Sequence, residues 1–166
     1  FSWLMMTHTS INIEQVLRLI QDELLKSYLI KYVPRDAIII SKTEDYSLVP
    51  AFKNFLIRIS PTPSGFYVRQ PQIGSFFKNN FSVTIELYVK ISTNSNNSLT
   101  EISSTMNKGI LEFHADVISI LEHNTLDNNL DPYPGSNIGE TIIVKDSQGL
   151  TEGVQFDWVG VQSSRY

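Results

Sequence analysis

Hydrophobic positions along this chain follow two rhythms. Between residues 11 and 29, Ile13, Val16, Leu17, Ile20, Leu24 and Tyr28 recur at three- and four-residue steps, while Glu14, Arg18, Gln21 and Asp22 fall elsewhere. That spacing predicts an amphipathic helix, opened by a capping box of Asn12 with Gln15 and stopped before Pro34. Alternation is sharpest in "FSVTIELYVKIS", 81–92, where Phe81, Val83, Ile85, Leu87, Val89 and Ile91 oppose Ser82, Thr84, Glu86, Tyr88 and Lys90. It predicts a strand with one buried and one wet face, as in antiparallel sheets. "AIIIS", 37–41, and "FLIRIS", 55–60, read as shorter strands around a polar loop holding Asp45 and Pro50.

The polar linker "TNSNNS", 93–98, leads to a second capping box, Ser98 with Glu101. The helix predicted there carries Ile102, Met106, Ile110, Phe113, Val117 and Ile120 as its stripe to about residue 124, with Gly109 inside it. A turn-rich loop, 124–137, precedes two closing strands, 138–146 and 153–162. The order helix, two strands, long loop, strand, helix, two strands predicts an α+β fold. Its sheet is mainly antiparallel, with about five strands, two helices packed on one face, and a long loop or hairpin arm. Residues 1–10 read as an N-terminal extension, with Met5 or Met6 as the native start, and 11–166 as a single domain in which 60–81 protrudes. "FSWLMM" lacks the basic start of a secretion signal.

Composition narrows the function classes. A 42% hydrophobic share argues for a packed core, and an 18% charged share is low for a soluble surface. Ordinary variation explains the second figure, and so does a surface partly covered by other subunits. A net charge of -4 disfavours broad nucleic-acid binding, and no run of 18 apolar residues predicts a membrane span. With no Cys there is neither disulfide nor zinc-thiolate chemistry.

Candidate chemistry is sparse. Asp127, Asn129 and Asp131 match the first liganding positions of a calcium loop, but Pro132 stands where Gly is needed and Ile138 where Glu is needed. His114 and His123 are nine apart, too far for a shared helix face, and His8 lies in the N-terminal extension. Glu112, His114 and Asp116 are two apart and point to different sides. No nucleophile elbow, HExxH or phosphate-binding glycine loop is present. The reading is a non-enzyme with no cofactor and no metal.

One stretch exceeds what a minimal domain needs. "SPTPSGFYVRQPQIGSFFKNNF", 60–81, holds Phe66, Tyr67, Phe76, Phe77 and Phe81, the cations Arg69 and Lys78, and no acid. It reads either as a wide hairpin loop burying its own rings or as an arm packing on a neighbour. Exposed rings mark contact sites, and charge asymmetry suits head-to-tail association. The candidate interface is Phe66, Tyr67, Arg69, Phe76, Phe77 and Lys78.

The chain resembles the tail terminator (tail completion) proteins of tailed bacteriophages and related phage-like particles. The likeness lies in "INIEQVLRLIQDELLKSYL", the "AIIIS" and "FLIRIS" strands, "FSVTIELYVKIS", "GILEFHADVISILEHNTL" and the last two strands, spanning most of 11–162. It rests on element order, and the 60–81 segment is long for it. The resemblance implies a virion protein of the tail or neck, assembled in the host cytoplasm. It implies a homohexameric ring that caps the tail tube protein, meets a neck or head-closure protein, and touches DNA only in passage. Alternatives are a head-closure or neck adaptor of the same particle, and a monomeric ligand-binding α+β domain with the aromatic loop as lid.

Overall fold

The computed structural model describes residues 11–41, 52, 54–74, 76–90, 102–103, 107–132, 135–145 and 151–165. The chain forms α1 (Ile13–Leu25), single 3-10 turns at Tyr28–Lys31 and Arg35–Ala37, β1 (Ile38–Ile40), β2 (Phe55–Pro61), β3 (Tyr67–Pro71) and β4 (Phe76–Lys90). Then come β5 (Ile102–Ser103), β6 (Asn107–Lys108), α2 (Ile110–Leu121), β7 (Ser136–Ile138), β8 (Ile142–Lys145) and β9 (Thr151–Arg165). β4 and β9 pair antiparallel along their whole length, from Phe76 opposite Arg165 to Lys90 opposite Thr151. The sheet order is β1-β2-β4-β9-β7, with β3 beside β4 and β8 beside β9. Among the described residues only β1 with β2 is parallel. This is the predicted α+β class, with seven strands in the main sheet among the described residues.

Of the predicted stripe α1 buries Val16, Leu17, Ile20 and Leu24, with Ile13 partly buried against the core, whereas Tyr28 falls beyond the helix in a 3-10 turn and is 44% exposed. Both halves of its capping box form, Gln15 N–H to Asn12 Oδ1 and Asn12 N–H to Gln15 Oε1, each at 2.9 Å. α2 buries Ile110, Phe113, Val117 and Leu121. These two stripes share one core with alternate sheet residues, Ile57 and Ile59, Val83, Ile85 and Leu87, Phe156 and Trp158. Three aromatic rings, Tyr32, Phe55 and Phe113, meet edge to face in it.

Trp158 is fully buried, and its indole N–H points at the Leu121 carbonyl at 3.4 Å. Gly160 makes room for it. A Cβ there would stand 2.3 Å from Trp158 Cη2 and 3.0 Å from Leu130 Cδ1. Gly160→Ala is therefore expected to destabilise by about 1–3 kcal/mol in urea unfolding. An unchanged midpoint would show that the indole shifts freely.

Four expectations change. α2 begins at Ile110, not near residue 98. Gly109 is its N-cap, with an extended backbone (φ -73, ψ 168), and Ile102–Ser103 with Asn107–Lys108 forms a small antiparallel ladder instead. The apolar spacing continues across Gly109 in the sequence while the helix does not, in keeping with glycine's cost of about 1 kcal/mol inside a helix. The capping box of Ser98 with Glu101 lies outside the described residues. β4 starts five residues early, at Phe76, because β9 supplies a partner along its entire length. The final pair is three elements: β7 and β8 contact β9 in registers that differ by one residue, with Gly139–Thr141 between them.

The fourth change concerns the face of β4 predicted to be wet. Thr84, Glu86 and Tyr88 are buried there, together with Arg58 and Ser60 of β2. Arg58 grips Glu86 through two bonds, Nη2 to Oε2 at 2.6 Å and Nε to Oε1 at 3.2 Å, and the Tyr88 hydroxyl donates to the same carboxylate. Burial and that hydrogen bond push the Tyr88 phenol above its ordinary range. Polar side chains can line a buried face when they satisfy one another.

Candidate functional site

Where β2 ends, the edge of β4 changes partner. Ser82 is the branch point: its carbonyl accepts from Thr62 N–H at 3.2 Å, and its own N–H donates to the Phe66 carbonyl at 2.9 Å. The intervening residues turn outward around Pro63, Ser64 and Gly65, with Gly65 N–H returning to the Thr62 carbonyl at 3.1 Å. β3 then pairs with Phe77–Phe81 of β4. Gly74 closes the tip in the left-handed region (φ +85) that this turn requires.

Residues 63–74 are all exposed. The apolar side chains among them stand well into water: Val68 is 52% exposed and Ile73, at the tip, 100%. Phe66, Tyr67 and Phe76 are also exposed large hydrophobics. Phe81 is not part of this surface, being fully buried in the core with Tyr67 leaning on it at 5.3 Å. The predicted interface thus resolves into two faces of one hairpin. On the helix side, Arg69 Nε and the Tyr67 hydroxyl both donate to Asn79 Oδ1, at 3.0 and 2.9 Å, and Asn79 Nδ2 reaches Ser164 Oγ at 2.9 Å. The Arg69 guanidinium lies 4.6 Å from the Phe77 ring centroid. By strand alternation Phe76, Lys78 and Val68 belong to the other face. Val68 and Ile73, which the sequence alone did not single out, are as exposed as any ring, and only their exposure marks them.

At the root of the hairpin a cleft of about 260 Å³ is lined by Ile11, Asn12, Ile13, Phe66, Tyr67 and Phe81. That falls below the roughly 300–1,000 Å³ of small-molecule sites.

The other candidates have structural work. Asp131 accepts from Ser163 N–H at 2.8 Å and from Ser163 Oγ at 2.7 Å, closing one edge of β9. Asn129 Nδ2 donates to the Leu126 carbonyl at 2.7 Å. Leu126, Asp127 and Asn128 all have positive φ, a left-handed turn pinned by the buried Leu126 and Leu130. Asp116 accepts from Tyr32 and, at 2.9 Å, from Lys108 Nζ, tying α2 to the turn after α1. Desolvation and the bond to Asp116 push the Tyr32 phenol far up.

His114 faces the other way, with Nε2 2.9 Å from Thr141 Oγ1 and its ring edge on Phe156. Burial lowers its pKa below the ordinary 6.5, so the unfolded chain takes up a proton more readily than the fold does. Stability contributed by the neutral ring is present above about 6.5 and declines as pH falls from there toward the folded value. Melting is expected to drop more in wild type than in His114→Gln between pH 7 and pH 5.5. Equal drops would count against that role for the imidazole.

Neither a family model nor a curated protein sequence matches this chain.

Proposed function

We propose that this chain is a structural protein of a phage tail, the terminator that forms a ring, caps the tail tube and joins it to the neck. The observation supporting it is the hairpin of 63–74, which holds Val68 and Ile73 in water on a domain whose core is otherwise well filled. Burying a large apolar side chain is worth roughly 2 kcal/mol, so such a hairpin favours association. Its one cation, Arg69, and its lack of acids, in a chain of net charge -4, suit a more acidic surface on the next copy.

The mechanism is surface substitution. One face of the ring matches the last ring of tube subunits, and the opposite face does not repeat it, so no further tube subunit adds. Acidic groups toward the bore repel phosphate and let DNA pass without sticking. No helix among the described residues is long and apolar enough to cross a membrane. The ring's place on this reading is the virion, after assembly in the host cytoplasm.

Particles assembled without this protein test the reading. Tails of uncontrolled length are the expected result. Tails of normal length that fail to join heads would assign the chain to head closure instead, and normal particles would overturn both.

A further inference from the structure

We propose that copies of this chain join head to tail by strand pairing, the outer edge of β3 in one copy against the outer edge of β8 in the next. The inference rests on the self-assembly in the reading above and names the contact that carries it. Among the described residues β3 pairs only with β4, and β8 only with β9.

Hydrogen-bond phase fixes what β3 offers. Ser82 N–H donates to the Phe66 carbonyl and Gln72 N–H to the Phe76 carbonyl, each at 2.9 Å. Even-numbered positions therefore direct their backbone groups at β4. The N–H groups of Tyr67 and Arg69, with the carbonyls of Tyr67, Arg69 and Pro71, point outward. Pro71 sits in the outward phase, so its missing N–H costs the β3–β4 ladder nothing.

Both edges carry apolar side chains on both faces. Tyr67 and Val68 are 42% and 52% exposed, Ile142 and Ile143 52% and 57%. Edges that face water are normally blunted, and two others in this sheet are. Gln21 Nε2 donates to the Ile38 carbonyl at 2.9 Å on β1, and Asp131 takes the Ser163 N–H on β9. Nothing comparable guards β3 or β8 among the described residues.

Direction and spacing agree with the contact. β3 opposes β4, β4 opposes β9 and β9 opposes β8. A neighbour added without turning over therefore meets β3 antiparallel and keeps its helices on the same side. β3 is centred opposite Asn79, while Ile143 aligns through Val154 with Leu87. Eight residues at about 3.4 Å each is roughly 27 Å, close to the ~30 Å width of a small domain. The second copy thus stands beside the first without overlapping it. Glu140, exposed just before β8, supplies an acid for Arg69 or Lys78. Unlike surfaces meeting in this way close into a ring when the rotation allows.

Val68 and Ile142 lie on the same face of the sheet and are both exposed, so charges placed there spare the fold. In sedimentation over a concentration series, Val68→Asp and Ile142→Asp are each expected to weaken association about tenfold or more. Val68→Lys combined with Ile142→Asp is expected to recover most of it. Because the chain has no Cys, Val68→Cys paired in turn with Ile142→Cys, Ile143→Cys or Val144→Cys gives a second measurement. At least one pair is expected to oxidise into a ladder of covalent multimers that no single-cysteine variant forms. Wild-type association in both aspartate variants, with no ladder, overturns the strand contact and leaves the ring reading standing. A wild-type chain that stays monomeric throughout overturns both.

Discussion

Glu86→Ala is expected to lower the unfolding free energy by roughly 3–5 kcal/mol, measured by urea denaturation with the slope held comparable. Arg58 is 1% exposed and Glu86 4%, and they are joined by two bonds on the sheet face away from the helices. Deleting the carboxylate removes both bonds that Glu86 gives the buried guanidinium, and takes away the acceptor to which the Tyr88 hydroxyl donates. The double variant Arg58→Met with Glu86→Leu separates the two contributions. It is expected to fall within about 1–2 kcal/mol of wild type, since apolar replacement of a whole buried pair is often neutral or stabilising. A loss under about 1 kcal/mol for Glu86→Ala would mean that water reaches the guanidinium.

The second large effect is on assembly and leaves the fold intact. Phe66→Ser with Ile73→Ser removes two exposed side chains of the hairpin, one of them wholly in water. Neither belongs to the buried core cluster, so melting is expected to stay within about 2 °C of wild type. Association, or incorporation into particles, is expected to weaken about 100-fold, equivalent to roughly 3 kcal/mol of apolar burial. A pronounced fall in melting temperature with association untouched would make these residues part of the fold and remove the hairpin from the interface.

These contrasts explain which parts of the molecule the residue pattern discloses. α1 is legible in detail because its stripe and capping box are local, each set by neighbours within four residues. The core face of β4 is legible for the same reason, a period of two with no exception from Phe81 to Val89. Its opposite face misleads, since "STEY" chemistry looks wet until Arg58, 28 residues away, is brought against Glu86. β3 has no buried side to generate alternation; "YVRQP" is exposed at every position, and its strand character comes from pairing with β4. α2's start is obscured by an accident of spacing, Ile102 and Met106 standing in phase with a helix that opens only after Gly109. The one-residue register change between β7 and β8 depends on β9 and leaves no local mark. As for the candidate interface, the sequence identifies the rings and cations, and the alternation of 81–92 already assigns Phe81 to the core, but only tertiary structure shows how far Phe66 and Tyr67 stand into water.

The central ladder also sets a timetable. β4 is finished by residue 90, yet its full-length partner occupies 151–165, so some sixty residues must be synthesised before the two can meet. During that interval the apolar row Phe81, Val83, Ile85 and Leu87 has β2, α1 and, once residue 121 is made, α2 for company, but not Phe156 and Trp158. Contacts this far apart along the chain slow folding and lengthen exposure to aggregation. A nascent chain arrested before residue 151 is therefore expected to be protease-sensitive and chaperone-bound, with protection arriving in one step once the last strand clears the ribosome.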